Sequence, residues 1–203
     1  MSPLGEILNL DCFSGAKFQK WFDAARGFAD ADSGGAFNGG VVSPQREHLK
    51  LGQYYYRFVS TGMPENRKVG GAWWIDFDTL NNIYSRYREI GDNPNARRLR
   101  GSGPAAATFR EWLALTYEWN SIQQIVIAPL RARIDAYSGA ARVAQGSHVF
   151  DQRAFGYAPH LSYLFGVKQY CVPELDLHVK AAFPNYRIVP FGFIEGVASG
   201  EIG

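Results

Sequence analysis

The stretch Gln53-Tyr54-Tyr55-Tyr56-Arg57-Phe58-Val59 decides how the rest of the chain reads. It is aromatic and β-prone. Two-residue alternation sends Tyr54, Tyr56 and Phe58 to one side of a strand and Tyr55, Arg57 and Val59 to the other. If both sides are covered, Arg57 sits among apolar groups. It keeps its charge there and needs an anionic or polar partner. Such an arginine either pairs with a local carboxylate at a strand edge or holds the phosphate of a ligand. A second polar residue has a similar setting: Gln169 stands between Val167 and Cys171 on one side of the segment Val167-Lys168-Gln169-Tyr170-Cys171-Val172-Pro173. It either caps a neighbouring backbone group or joins Arg57 in lining a ligand cleft.

Outward from these strands, residues 14–27 carry Phe18, Trp21, Phe22 and Ala25 at helical spacing, with Gly27 as a stop. A glycine-rich stretch over 30–40 has no period and reads as a linker. Residues 60–71 are polar and read as a surface loop, and 72–75 turn apolar with Trp73 and Trp74. Asp78 is expected to cap a helix to about Ile90, with Leu80, Ile83, Tyr84 and Tyr87 on one stripe. Thr108-Phe109-Arg110-Glu111 matches a capping box and predicts a short helix through Tyr117. Strands are expected over 122–128, 131–137, 165–172 and 186–193. Helices come first and strands dominate later, without the alternation of a doubly wound sheet, which predicts an α+β fold. The division expected is 1–45, an N-terminal helical extension with its Gly-rich linker, and 46–203, one α+β domain.

A length of 203 residues suits one domain, or one domain with an N-terminal extension, and the net charge of +2 neither requires nor excludes a nucleic-acid partner. Cys12 and Cys171 lie far apart and read as packed thiols rather than a disulfide framework. No basic region followed by an apolar run opens the chain, and no apolar run is long enough to cross a bilayer. The expectation is a protein with no membrane partner, cytoplasmic or delivered without a cleavable signal peptide. His48, His148, His160 and His178 have no metal-ligand spacing. There is no Walker loop and no GxGxxG after a strand, and Ser138-Gly139 lacks the preceding glycine of a nucleophile elbow.

Three features of residues 53–193 resemble the mono-ADP-ribosyltransferase fold of bacterial toxins and effectors. They are an arginine on an early aromatic strand (Tyr55-Tyr56-Arg57-Phe58), a glycine-aromatic segment before a helix (Gly70-Gly71-Ala72-Trp73-Trp74), and a late strand ending in proline (Gln169 to Pro173). The resemblance implies a split β-sandwich with N-terminal helices that binds NAD. Arg57 would hold the phosphates and ribose, and Ser60, Trp73, Trp74 and Tyr84 would complete the nucleotide site. Gln169 would stand where the family has its catalytic glutamate. ADP-ribose would pass to a macromolecular acceptor, protein or nucleic acid, or to water. Glutamine keeps the hydrogen bond to the ribose but loses the negative charge, which in a water-poor cleft is worth about 100-fold or more in rate. Catalysis would then be weak, would use Glu174 or another carboxylate, or would be lost. The rivals are a binding module on the same scaffold, an assembly protein built on the aromatic and glycine-rich surface, and a nucleic-acid binder. The last would use Arg86, Arg88, Arg97, Arg98 and Arg100. A cognate inhibitor or assembly partner would fit the first two.

Overall fold

A computed structural model describes residues 5–29, 37–90, 103–116, 119–145, 154–155 and 159–203. Seven strands form the central sheet: β3 (Gln45–His48), β4 (Tyr54–Val59), β5 (Trp73–Asp76), β6 (Gln124–Pro129), β7 (Asp135–Gly139), β10 (Gln169–Cys171) and β11 (Arg187–Pro190). Two short ladders lie apart from it, β1 (Phe28–Ala29) with β2 (Phe37–Asn38) and β8 (Ala144–Gln145) with β9 (Ala154–Phe155). The order in the central sheet is β11-β6-β4-β5-β10-β7-β3, and every neighbouring pair is antiparallel. Helices flank it: α1 (Gly15–Arg26), α2 (Glu65–Gly70), α3 (Phe77–Ile90), α4 (Gly103–Leu113), α5 (Pro159–Leu164), α6 (Leu175–Ala182) and α7 (Ile194–Ala198). The α+β expectation holds.

The alternation read from residues 53–59 divides the core. Tyr56, Phe58, Ile75, Ile125 and Ile127 pack with Leu80 and Ile83 of α3, Phe109 and Trp112 of α4, and Ile194 of α7. Tyr55, Val59, Trp74, Val126, Ala128 and Tyr170 pack on the other side with Val69 of α2 and Leu175 of α6. Each fully buried side chain of this size contributes roughly 1.5–3 kcal/mol of apolar transfer, so a sheet covered on both sides is the dominant stabilising feature.

One seam in the sheet is thin. β4 pairs with β6 through all six of its residues, but with β5 only through Tyr55↔Asp76 and Tyr56↔Ile75. From Arg57 onward β4 and β5 part, leaving two half-sheets, β11-β6-β4 and β5-β10-β7-β3.

Residues 5–26 are tied to the second half-sheet. Leu8 N–H donates to Arg133 O at 3.0 Å. Buried Asn9 donates to Asp135 O (2.9 Å) and Pro173 O (3.1 Å) and accepts from Asp135 N–H (3.0 Å). Phe22 of α1 meets Tyr137 of β7 edge-on at 5.8 Å, within a third cluster that holds Cys12 and Cys171.

Several boundaries differ from expectation. The α3 cap is Asp76, whose Oδ1 accepts Thr79 N–H at 2.9 Å, so Asp78 is already helical. Helix α4 starts at Gly103, which leaves Thr108 mid-helix; Pro104-Ala105-Ala106-Ala107 is a better start than the capping box. The expected loop over 60–71 contains α2, opened by Pro64. The strand expected over 131–137 begins only at Asp135, and the one over 165–172 begins at Gln169, after Gly166 in the left-handed region (φ 65°). The linker over 30–36 and the arginines Arg97, Arg98 and Arg100 lie outside the described residues.

Candidate functional site

A cavity of about 320 Å³ opens where β4 and β5 part. Tyr56, Arg57 and Phe58 form one lip, and Trp73, Trp74 and Ile75 the other. Gln169 enters from β10, Leu113 from the end of α4, and Ala114, Leu115, Trp119 and Asn120 from the connection after it. Ala24, Gly27 and Gly40 also line the cavity. Gly40 has φ 72°, and a Cβ on it would lie 2.3 Å from Gly27 N, so only glycine lets these two backbones touch. The described residues of the wall are mostly apolar and include no carboxylate.

Among the described residues of that wall, Arg57 is the one formal charge. By alternation it leaves β4 on the side of Tyr55 and Val59, whereas Gln169 leaves β10 on the side opposite Tyr170. The gap between the half-sheets lets both reach one cavity. Arg57 Nη1 donates to Trp73 O at 2.9 Å, a bond that stands where the β4–β5 ladder has ended. Its Nε is buried with no hydrogen-bond partner. Among the described residues no carboxylate pairs with it, so the local ion pair considered for a strand-edge arginine is absent there. Burial pushes the guanidinium down to about 10, which leaves it charged at neutral pH. The group lies flat on Gly71: a Cβ there would come within 2.1 Å of Nη2 and 2.2 Å of Cζ.

Gln169 is buried, and its Nε2 donates to Leu113 O at 2.6 Å. No described residue donates to its Oε1. The glutamine therefore caps the end of α4 with one atom and has an acceptor to spare with the other. Trp73 is half-buried at the lip. Trp74 is committed to the core: its Nε1 donates to Gly71 O at 2.7 Å and its ring meets Phe183 at 4.8 Å.

Trp119 is a lining aromatic that the sequence reading missed. It is 39 % exposed, and its ring lies over Gly39, where a Cβ would come within 2.7 Å. Asn120 beside it donates to Phe58 O and accepts Ile122 N–H at 2.8 Å, fixing the loop against β4. Ala114 and Ile122 flank this loop with φ of 49° and 50°, a conformation that costs non-glycine residues about 1–3 kcal/mol each.

The other candidates fall elsewhere. Ser60 Oγ accepts Ser121 N–H at 3.0 Å and does not line the cavity. Tyr84 packs on Tyr87 at 5.8 Å, off the cavity. Glu174 pairs with Lys17 at 2.8 Å, and Lys17 also reaches Asp11 at 2.7 Å. That pairing holds both carboxyls below their usual range, through hydrogen bonds to the Lys17 ammonium. Asp11, Cys12 and Glu174 lie close enough to share a cation, but the Lys17 ammonium already bridges the two carboxylates. Of the basic cluster, Arg86 pairs with Glu89 (2.6 Å) and covers the Phe165 ring (3.8 Å), and Arg88 pairs with Glu195 (3.1 Å).

Among the described residues no helix is long and apolar enough to cross a membrane. Compared with protein-family models, curated proteins and solved structures, the chain finds no match.

Proposed function

We propose that this chain is an ADP-ribosyltransferase-like domain that binds NAD in the gap between its two half-sheets, as a split β-sandwich would. The observation that carries this reading is Arg57: a half-buried, charged guanidinium whose Nε is buried without a partner, paired with no described carboxylate, in the same cavity as Gln169. A cation so placed is short of an anion, and a phosphate offers bidentate acceptors to Nε and a terminal nitrogen. Trp73 or Trp119 supplies a ring face beside it, and the free Oε1 of Gln169 accepts from a ribose hydroxyl. A cavity of about 320 Å³ is at the small end for ligand sites and suits one mononucleotide half of the dinucleotide.

Binding outweighs turnover in this reading. Breaking the nicotinamide–ribose bond develops positive charge on the sugar. No described residue brings a carboxylate to the cavity to stabilise that charge, and a neutral carboxamide forfeits about 100-fold or more. Transfer of ADP-ribose to a protein or nucleic-acid acceptor, or to water, would be slow. Calorimetry with NAD and chromatographic measurement of nicotinamide release test this together. Wild type binds NAD, Arg57→Ala binds at least about tenfold more weakly, and Gln169→Glu releases nicotinamide faster than wild type. Absence of NAD binding by the wild type would end the proposal.

A further inference from the structure

Gln169 turns to the first cavity, but Tyr170, the next residue on β10, lines a second one of about 670 Å³. It lies between the ends of β3, β4, β5 and β7, the first turns of α3, and α5 with the turn after it. Most of its wall is polar, and the charges divide into spent and unspent. Glu47 is held by Lys168, whose Nζ donates to its two oxygens at 2.9 and 3.1 Å. Asp76 accepts from the Tyr170 hydroxyl at 2.7 Å and from Thr79 N–H. Two carboxylates, Asp76 and Asp78, and one ammonium, Lys50, have no ion pair among the described residues. The described carboxylates of the wall thus outnumber its ammoniums by one. Ser162 is 1 % exposed, and its Oγ is buried at this wall with no hydrogen-bond partner, so a donor and acceptor there is short of a ligand. The side-chain amides of Gln53 and Asn81 are also free. At the rim the Tyr163 ring is 56 % exposed, its hydroxyl reaching Val42 O at 3.4 Å.

We infer that this second cavity binds a neutral polyhydroxylated ligand, a saccharide of one or two rings. Every sugar hydroxyl donates and accepts at once. It is matched by a wall that interleaves a carboxylate, an ammonium, carboxamides and a buried serine hydroxyl. The exposed face of Tyr163 suits the C–H face of a pyranose. An anion is disfavoured, because three carboxylates face two ammoniums and one ammonium is already engaged. A divalent cation is disfavoured because the cation-sized cluster of ligands among the described residues lies elsewhere, at Asp11, Cys12 and Glu174. The inference is independent of the NAD reading, since the two cavities share no lining residue among the described ones.

The test is a glycan array, followed by amide NMR titration with glucose, galactose, N-acetylglucosamine and their disaccharides. At least one saccharide is expected to shift the amides of Lys50, Gln53, Asn81, Ser162 and Lys168 in a saturable way. Asp78→Asn and Tyr163→Ala, both at exposed or half-exposed positions, should each weaken binding about tenfold, with unchanged circular dichroism. A blank array with no shifts at these amides overturns the inference. So does saccharide binding unaffected by both variants, or saturable shifts at these amides with inorganic phosphate or free lysine but with no saccharide.

Discussion

Arg57 was legible because a charge stood out against an apolar alternation; the residue that holds it was not. Gly71 reads in sequence as half of a Gly-Gly turn, yet its missing side chain is the space the guanidinium fills. Its own backbone is ordinary (φ −69°, ψ 146°), so alanine is conformationally acceptable there. Any effect of Gly71→Ala is therefore steric. A methyl group about 2 Å from the guanidinium must push it off Trp73 O. We expect Gly71→Ala to weaken NAD binding about tenfold, with melting temperature nearly unchanged. Calorimetry giving wild-type affinity would mean that the seated guanidinium is not the anchor. Trp119 escaped notice for a related reason: it sits between elements, where no period marks which way a ring points. Gln169 was legible as a polar residue on an apolar strand. That its amide would cap the end of α4 depends on a helix 56 positions away in sequence.

At the scale of elements, strands with clear alternation were read well and short helices poorly. Helices α2, α5, α6 and α7 have five to eight residues each, too few for a 3.6-residue period to declare itself. Tertiary contacts fix them instead. Helix α6 is one case, entered through Glu174 in the left-handed region (φ 51°) and linked to α1 by Lys17. The hydrogen bond from Lys17 depresses the Glu174 carboxyl. A carboxyl lowered on folding stabilises the fold above its unfolded value, and that stabilisation is lost as pH falls through the folded value. The pair is partly exposed, so its contribution is small. Wild type should melt about 2 °C above Glu174→Gln at pH 7, with the gap closing as pH falls below about 4. Thermal melts across that range check it. A gap that is constant with pH would assign the effect to packing rather than to the charge.

At the scale of the molecule, composition and element order were enough for an α+β fold, but not for the strand order or the gap at β4–β5. Both depend on pairings between segments far apart in the chain, which local patterning does not encode. The N-terminal stretch raises the same issue. Composition sets 1–45 apart, whereas Phe13, Trp21 and Phe22 pack in one cluster with Tyr137 and Cys171 of the sheet. Burial pushes both thiols up to about 12, so neither Cys12 nor Cys171 is a nucleophile at neutral pH while that cluster is intact. Deleting residues 1–26 removes the cluster's outer half, along with the three hydrogen bonds of Asn9. Cys171 should then react readily with an aromatic disulfide reagent at pH 8, where in the intact chain both thiols stay unreactive until the protein unfolds. The shortened chain should also unfold at lower denaturant. If Cys171 stays protected and the unfolding midpoint does not move, the N-terminal stretch is an appendage and the sheet holds its core without it. If Cys171 reacts, the helix belongs to the fold, and the part of the cavity wall that Ala24, Gly27 and Gly40 supply is in the same cooperative unit as the strands that carry Arg57 and Gln169.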